Sequence, residues 1–509
     1  KDSTIIAKEG GFAFDVYYWP SNGYADGVSV TVTDSIIDGR IEVTVDGNNA
    51  IGDNTHSLSI SGGTLVGGLT ATDGGQLYTV GTTSLSHVDI NNNTATNRGG
   101  GIYNAVQNAS DGGIAGRGQL TLDGVSFSGN KAAQGGAIYN AGTLTVEGGS
   151  FTGNSAAPAD GSAVTVSNVG GAIYNADDAK LSINGTRFEG NTAAIAGAVN
   201  NQYDSSHITG ITNAFFVNNT ASLSAGGALR NQGTIDSISG TTFEGNTAGN
   251  GGALWNGAGG TITNITNTTF TDNKSTNAVV GGGAITNAGV ITISATTFTG
   301  NTAAGNGGAI NNVVSGGGQA NIALSNTTFT GNTAAGNGGA IFNAGTLTFK
   351  GTNTFTNNTA ADKANDIYNA GTITVAGGTT TLNSGLILAE NGKVEVTGGT
   401  LDMVSGSKLT IAGDSKLTIS GGTFVANADL LVSKTGEDTY QANGENGINN
   451  DSIVGTKGNL NLRWFDGDYT LGEYTSVKNA LLNPSSENAE LTLLNATLLV
   501  GDGEILVTG

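Results

Sequence analysis

The sequence predicts an all-β chain folded as a right-handed parallel β-helix, a solenoid with three short strands per coil and terminal caps. Three observations support this fold class. A Phe-x-x-Asn motif recurs at spacings of 24 to 37 residues, and a Gly-Gly-Ala-(Ile/Leu/Val)-x-Asn motif recurs in the same frame. Each period also contains three short apolar stretches, separated by glycine or asparagine, that are too short for helices.

Composition favours a repeat over a set of globular domains. Among 509 residues there are 85 glycines and 3 prolines, and charged residues make up only 12%. The surface must therefore be covered mainly by asparagine, threonine, serine and glycine. Length alone would indicate several domains, but a solenoid grows in one dimension without needing a larger globular core.

The charge balance and the cysteine count exclude several functions. The chain has 40 acidic and 19 basic residues, a formal net charge of −21, and no basic stripe. We therefore expect no nucleic-acid partner, because phosphate binding needs clustered lysine and arginine. Cysteine is absent, which excludes disulfides, thiolate metal sites and a cysteine nucleophile. No apolar run is long enough to span a bilayer, so we expect no membrane insertion by this segment.

Four regions follow one another along the chain. We predict an N-terminal cap with irregular first coils over 1–95 and regular repeats over 96–370. Degenerate coils follow over 371–433, and a loop excursion with a C-terminal cap occupies 434–509. Six aromatic residues between Phe12 and Tyr24 belong either to the cap or to an aromatic binding patch. The chain begins Lys-Asp-Ser-Thr instead of with methionine, which indicates a processed or excised segment.

The repeated residues are predicted to be structural. The phenylalanines would stack from coil to coil and fill the narrow interior. Gly-Gly allows a corner with positive φ and lets the backbone pass close to a neighbouring coil. The repeated asparagine can adopt a left-handed conformation at a bend, and can bond the same asparagine of the next coil to form a ladder. The set comprises Phe127, Phe151, Phe188, Phe216, Phe243, Phe270, Phe298, Phe329, Phe355, Asn140, Asn175, Asn201, Asn231, Asn256, Asn287, Asn312 and Asn343.

The paired motifs resemble those of the chlamydial polymorphic membrane protein family, a group of autotransporter passengers. The resemblance covers about residues 99–369, and the two-motif signature is specific. It implies a surface-exposed or secreted bacterial passenger or stalk, located outside the cell or at the outer-membrane surface. It also implies adhesion or self-association without catalysis. The expected partners are host-cell, glycan or bacterial surface molecules, or further copies of the chain.

Two alternatives belong to other functional classes. Coils stacked end to end would make the chain a structural subunit of an extracellular fibre. A carbohydrate-active enzyme would need paired carboxylates, or an acidic calcium site beside a basic residue. His56, His87 and His207 lie far apart in the repeat frame, and Asp177-Asp178 is predicted to lie in a solvated turn. We therefore predict no catalytic, cofactor-binding or metal-binding residue, although Asp466-Gly-Asp468 leaves a structural calcium ion open.

Outward features are the places where contacts are expected. The insertions Ala105–Gly118 and Ala157–Val169 interrupt the repeat, and such insertions map to loops. In some strands a threonine stands on each side of an apolar residue, so both threonine side chains point outward. Stacked, they would form either an ordinary solvated face or an ice-binding face. These stretches are Thr143–Thr145, Thr261–Thr263, Thr346–Thr348 and Thr372–Thr374.

Overall fold

The computed structural model shows a chain of stacked β-strands. All regular elements among the described residues are β-strands. No helix that could cross a membrane occurs among these residues. The chain divides into two compact units, Lys1–Lys274 and Ser275–Gly509. The described residues are 3–6, 12–18, 29–45, 57–66, 71–108, 114–361, 363–404, 407–411, 415–419, 421–427, 441–442, 445–446, 453–455, 458–463 and 496–500.

One regular coil of the first unit contains four strands. We name them the long strand Thr143–Glu147, the phenylalanine strand Ser150–Thr152, the alanine strand Ser155–Ala156 and the asparagine strand Ile173–Asn175. Each pairs in parallel with its equivalent in the adjacent coil, so that, for example, Phe151 lies opposite Phe188. The predicted all-β parallel solenoid is confirmed.

The alanine strand is additional to the three strands predicted for each coil. It is only two residues long, so its sequence carries no periodicity that could reveal it. In the second unit this strand is lost after the asparagine strand Ile367–Asn369. The next coil then has three strands, as the sequence predicts: Thr372–Val375, Thr379–Leu382 and Gly385–Leu388.

The first unit contains the following strands, given by type. The long strands are Ser29–Asp38, Ser57–Val66, Thr82–Ser86, Gln119–Asp123, Thr143–Glu147, Lys180–Asn184, His207–Thr212, Thr234–Ser239 and Thr261–Thr266. The phenylalanine strands and their N-terminal equivalents are Thr4–Ile6, Asp89–Asn91, Ser126–Ser128, Ser150–Thr152, Arg187–Glu189, Phe215–Val217, Thr242–Glu244 and Thr269–Thr271.

The remaining strands of the first unit are the alanine strands, the asparagine strands and two further strand pairs. The alanine strands are Lys131–Ala132, Ser155–Ala156, Thr192–Ala193, Thr220–Ala221, Thr247–Ala248 and, at the unit boundary, Lys274–Ser275. The asparagine strands and their equivalents are Phe12–Tyr18, Arg40–Val45, Leu77–Thr79, Ile102–Asn104, Ile138–Asn140, Ile173–Asn175, Val199–Asn201, Leu229–Asn231 and Leu254–Asn256. Two further strand pairs are Ala71–Asp73 with Ala95–Arg98, and the antiparallel hairpin Val106–Asn108 with Ile114–Arg117.

The second unit repeats this arrangement. Its long strands are Val290–Ser294, Asn321–Ser325, Thr346–Lys350, Thr372–Val375, Lys393–Val396, Lys416–Ile419 and Ile453–Gly455. Its phenylalanine strands and their equivalents are Thr297–Thr299, Thr328–Thr330, Thr352–Thr356, Thr379–Leu382, Thr400–Met403, Thr423–Asn427, Gly458–Arg463 and Ala496–Val500. The remaining strands are Thr302–Ala303, Thr333–Ala334, Thr359–Ala360, Lys363–Ala364, Ile285–Asn287, Ile310–Asn312, Ile341–Asn343, Ile367–Asn369, Gly385–Leu388, Lys408–Ile411, Gln441–Ala442 and Glu445–Asn446.

The interior of each unit is built around stacked phenylalanine rings. All nine predicted phenylalanines are fully buried. Their ring planes are nearly parallel, with neighbouring centroids 4.6–4.8 Å apart, which equals the spacing of stacked strands. Burying one such side chain stabilises the fold by about 1.5–3 kcal/mol. The first unit stacks Phe127, Phe151, Phe188, Phe216, Phe243 and Phe270; the second stacks Phe298, Phe329 and Phe355.

The two glycines of each Gly-Gly pair have different tasks. Gly135 adopts a φ of 64°, in the left-handed region that favours glycine. Gly136 has no such φ, but a Cβ there would lie 2.1 Å from the carbonyl oxygen of Gly171 in the next coil. The first glycine therefore makes the corner, and the second allows the coils to approach.

The expectation that the repeated asparagines are left-handed is wrong. None of them has a positive φ; the residue directly before the asparagine of Phe-x-x-Asn has one instead. That residue is Gly153 (φ 62°) in one coil and Asn218 (φ 54°) in another. The reason is that the ladder asparagines must direct their amides along the stack, so a neighbouring residue makes the bend.

Candidate functional site

The asparagines that close the Gly-Gly-Ala motif form the predicted ladder, which is confirmed. The Asn140 side-chain amide donates to Oδ1 of Asn175 at 2.8 Å and to the carbonyl of Lys180 at 3.0 Å. These asparagines are fully buried, so they satisfy corner backbone groups inside the fold. The ladder comprises Asn104, Asn140, Asn175, Asn201, Asn231 and Asn256 in the first unit, and Asn287, Asn312, Asn343 and Asn369 in the second.

A second ladder is formed by the asparagines of Phe-x-x-Asn. Oδ1 of Asn191 accepts hydrogen bonds from both the backbone N–H and the side-chain amide of Asn154, each at 3.0 Å. The Asn154 amide also donates to the carbonyl of Phe127 at 3.1 Å. The members are Asn93, Asn130, Asn154, Asn191, Asn219, Asn246 and Asn273 in the first unit, and Asn301, Asn332 and Asn358 in the second.

In the second unit this ladder ends on a buried carboxylate. The Asn358 amide donates to Oδ1 of Asp366 at 2.8 Å, and the backbone N–H of Ser384 donates to Oδ2 at 2.6 Å. The N–H of Gly385 also donates to Oδ2, at 3.3 Å. Burial raises the pKa of Asp366, an effect that these hydrogen bonds only partly offset.

The predicted repeat set therefore lies inside the coils. All 17 of its side chains are fully buried, where they cannot contact a partner. The repeat determines how the coils stack, and recognition must use the residues between the repeated positions.

An aromatic row on the outer side of the first unit was not predicted. It occupies the middle position of successive asparagine strands, where consecutive members lie opposite each other. The rings of Tyr139 and Tyr174 are stacked at 4.7 Å, and Arg98 lies 5.3 Å from the centre of the Tyr139 ring. The row comprises Tyr78, Tyr103, Tyr139 and Tyr174, continued by Asn200, Arg230 and Trp255.

The tyrosines of this row remain neutral over the physiological range. Burial raises the pKa of Tyr139 to about 12 and also raises the pKa of Tyr174. Arg98 donates from Nη1 to the hydroxyl oxygen of Tyr103 at 3.1 Å. Tyr139 and Tyr174 are stacked, and Tyr103 meets both Tyr78 and Tyr139 edge to face, so this half of the row is a packed cluster and not an open platform.

The other half of the row surrounds Arg230. Its Nη1 donates to Oδ1 of Asn200 at 3.0 Å and to Oε1 of Gln202 at 2.8 Å. The guanidinium carbon lies 5.2 Å from the centre of the Trp255 ring, in a cation–π arrangement. Tyr203 follows Gln202 and is 46% exposed. Burial lowers the pKa of Arg230 to about 10, so the side chain stays charged at neutral pH.

One serine, one histidine and one aspartate come together, but not as a catalytic triad. Oγ of Ser86 lies 2.8 Å from Nδ1 of His87 and donates to Oδ2 of Asp123 at 3.2 Å. A triad needs the imidazole between the hydroxyl and the carboxylate, whereas here the hydroxyl lies between the other two. Nε2 of His207 lies 2.9 Å from Oδ2 of Asp236. Within the described residues no group of three histidine or acidic residues could hold a metal ion.

The two insertions differ in how they are held. Arg117, at the end of the antiparallel hairpin in the first insertion, pairs with Asp178 at 3.1 Å. The acidic pair Asp177-Asp178 therefore has a basic partner, which lies 61 residues away in sequence. Ser205 donates to the Asp177 carboxylate. In the second insertion Val166 is 64% exposed, so this loop presents apolar surface to solvent.

The other predicted surface features are either interrupted or lie outside the described residues. Thr143 lies opposite Gln119 in one adjacent coil and Lys180 in the other, so the threonine rows are interrupted. His56 and Asp466–Asp468 lie outside the described residues, as do Trp19 and Tyr24 of the N-terminal aromatic cluster.

The stacked coils, buried phenylalanines and asparagine ladders define a parallel β-helix repeat protein. Within that class, the resemblance of its motifs to polymorphic membrane protein repeats is confirmed. Five segments match the model of the Chlamydia polymorphic membrane protein (Chlamydia_PMP) repeat: residues 87–105, 124–141, 240–257, 295–313 and 326–344. No curated protein and no solved structure matches the chain. Repeat and fold together fit a surface passenger-like protein.

Proposed function

We propose that this chain is a bacterial surface-exposed or secreted β-helical passenger that acts in adhesion or self-association, without catalysis. The observation that supports this proposal is that the repeated and the variable residues of each coil lie in different places. The repeated residues are all interior, which leaves the outer strand positions and the corners free to vary. Loops held by a rigid scaffold are where binding residues concentrate in proteins.

Exposed apolar side chains support the corners as contact sites. Large apolar residues on a soluble surface mark interaction sites when they are grouped. Val164 and Val166 are exposed together on the second insertion, and two adjacent valines are exposed on a corner of the second unit. The exposed apolar residues at corners are Val164, Val166, Tyr203 and Leu223 in the first unit, and Val279, Val280 and Val314 in the second.

The repeat supports a location at the bacterial surface. Polymorphic membrane proteins are membrane-associated surface proteins, and five copies of their repeat occur here. The partners we propose are host-cell, glycan or bacterial surface molecules, or another copy of the chain. The net charge of −21 disfavours densely anionic partners, because like charges repel.

A loop replacement tests this proposal with little risk to the fold. Residues 157–168 occupy one corner, and the equivalent corners of the two adjacent coils hold single alanines, Ala133 and Ala194. Replacing residues 157–168 by one alanine should therefore leave the coils intact. The whole chain would be displayed on a non-adherent bacterium, and cell binding and bacterial aggregation would be measured.

We expect display to increase adhesion or aggregation and the shortened loop to reduce that gain at least threefold. Circular dichroism of both purified proteins checks that the coils remain folded. If neither adhesion nor aggregation rises on display, the proposed function is wrong. Fibres of constant width in electron micrographs, without surface adhesion, would replace it with the fibre-subunit function.

A further inference from the structure

Arg230 differs from the other arginines of the described part in having no carboxylate partner. Four of the five arginine side chains described there lie within 4.0 Å of an acidic oxygen. Arg230 contacts only amide oxygens and the Trp255 ring. The four pairs are Arg40–Glu42 (2.8 Å), Arg98–Asp73 (4.0 Å), Arg117–Asp178 (3.1 Å) and Arg187–Glu189 (2.7 Å).

The Arg230 guanidinium keeps donors available. Both hydrogen bonds to the described residues start at Nη1, so Nε and Nη2 donate to none of them. A guanidinium binds a carboxylate best through two parallel hydrogen bonds, a geometry that Nε and Nη2 can supply. A largely buried positive charge without a counter-ion is costly, and an incoming anion would remove that cost.

The surroundings of Arg230 match a sugar more closely than a simple ion. The Asn200 amide donates to Oε1 of Gln202 at 2.8 Å, which fixes both side chains beside the guanidinium. The guanidinium also lies against the Trp255 ring, 5.2 Å from its centre. Tyr203 lies next to Gln202 and is 46% exposed, so the apolar face of a pyranose could pack on its ring, while its hydroxyl is hydrogen-bonded to Tyr174.

We propose that Arg230, Gln202 and Tyr203 form a binding site for a carboxylate-bearing sugar of the uronic-acid type, within an acidic polysaccharide, with the buried Asn200 holding Arg230 in place. The inference rests on the proposed adhesive function and names its ligand class. One guanidinium balances one carboxylate, whereas a phosphate dianion would need more positive charge than the site contains. The chain's net charge of −21 further disfavours polymers of high charge density.

The test measures binding of the whole purified chain, by calorimetry, to a galactose oligomer in which one sugar is replaced by galacturonate, with the neutral galactose oligomer of equal length as the matched ligand. Arg230→Gln should weaken galacturonate binding at least tenfold, and Tyr203→Ala should weaken it several-fold. Arg187→Gln is the control variant, because Arg187 is exposed and already paired with Glu189. Added salt should weaken binding by the wild type.

Three results would overturn the inference. The first is equal binding of the acidic and neutral oligomers, and the second is galacturonate binding that neither Arg230→Gln nor Tyr203→Ala changes. The third is equally tight binding of polyglutamate, which carries carboxylates without sugar rings. Unchanged thermal unfolding of the Tyr203→Ala variant shows that a loss of binding is not a loss of fold.

Cell adhesion separates this inference from the broader proposal. Displayed wild-type chain that adheres to cells, while the purified chain does not bind galacturonate, leaves adhesion standing and removes only the sugar site. Absence of adhesion and aggregation on display removes the proposed function itself. If the purified chain nevertheless binds galacturonate, the effect of Arg230→Gln on that binding decides whether the sugar site exists.

Discussion

Neighbouring residues in one short strand have separate tasks in this molecule. In the strand Ile138–Asn140, the isoleucine packs inside, the tyrosine joins the outer row, and the asparagine continues the ladder. Side chains alternate across a strand, so the first and third residues share the interior. A substitution here therefore affects packing, surface chemistry or backbone pairing according to its position.

A ladder asparagine should be far more sensitive than its neighbour. Asn191→Ala removes the acceptor for two Asn154 donors and the donor to the Phe151 carbonyl, all of them buried. Because each unsatisfied buried group costs about 1–3 kcal/mol, we expect a loss of about 2–4 kcal/mol. Urea unfolding followed by circular dichroism measures it.

The matched control for this substitution is Thr192→Ala. Thr192 is the next residue and is exposed, so we expect a change within about 0.5 kcal/mol. Equal losses for Asn191→Ala and Thr192→Ala would contradict the structural importance of the ladder.

Ala196 occupies a backbone conformation that suits glycine. It has a φ of 57° at the corner position where Gly170 has 71° in the neighbouring coil. Ala196→Gly should therefore stabilise the protein by about 1 kcal/mol, because a non-glycine residue is strained there. Ala198→Gly is the control, since Ala198 is buried and has no positive φ, and it should destabilise the protein. A stabilising Ala198→Gly, or a destabilising Ala196→Gly, would count against this interpretation in urea unfolding.

At the scale of elements, the end of a ladder needs a different residue from its interior. Each ladder amide donates to the next coil. The coil after Asn358 has no alanine strand, so the last amide, on Asn358, needs a different acceptor. Asp366 supplies it with one carboxylate oxygen and accepts two backbone N–H groups with the other. Asparagine could not replace it fully, because one end of its amide is a donor.

The titration of Asp366 should be visible in stability. Burial raises the pKa of Asp366 above 3.8, so the folded chain binds this proton more tightly than the unfolded chain does. Its contribution to stability is present below the unfolded pKa and is lost as pH rises through the raised pKa. The stability difference between wild type and Asp366→Asn should therefore fall with pH across that window, by at most about 1.4 kcal/mol per pH unit.

The measurement is urea unfolding of both proteins at a series of pH values from below 3.8 to neutral. Glu395→Gln is the control, because Glu395 is exposed on the strand Lys393–Val396. A wild-type minus Asp366→Asn difference that rises with pH would show that the pKa is lowered in the folded chain, contrary to this prediction.

The repeated elements could be predicted from sequence, and the elements between them could not. Phenylalanine and asparagine strands carry long side chains in a fixed frame, which makes them visible. The alanine strand is two residues long, and the aromatic row occupies a position that reads as a simple spacer between Ile and Asn. Arg117 and Asp178 come together only because hairpin and coil lengths set the register over 61 residues.

At the scale of the whole molecule, charge opposes association between chains. The formal net charge is −21 at pH 7, while the isoelectric point of the sequence is about 4.3. Repulsion should therefore vanish near that pH and allow reversible association. Light scattering should report a higher mass near pH 4.3 than at pH 7, with recovery after neutralisation. A constant mass across this range would show that charge does not keep the chains apart.

The candidate site, too, could not be predicted from the sequence. Arg230, Asn200 and Trp255 lie in three successive coils, and their proximity depends on the loop lengths between those coils. That Arg230 has no carboxylate partner among the described residues is a property of folded distances and not of spacing in sequence. The proposed adhesive function followed from the resemblance, whereas the proposed ligand chemistry required the positions of these side chains.

One corner holds a single alanine in two coils and residues 157–168 in the coil between them. This difference in length has a practical consequence. Coil closure there is independent of how many residues the corner contains. Insertions and deletions at such corners can therefore accumulate during evolution without disturbing the strands. The same corners offer an engineer sites for grafting foreign peptides, spaced along the solenoid at multiples of about 4.8 Å.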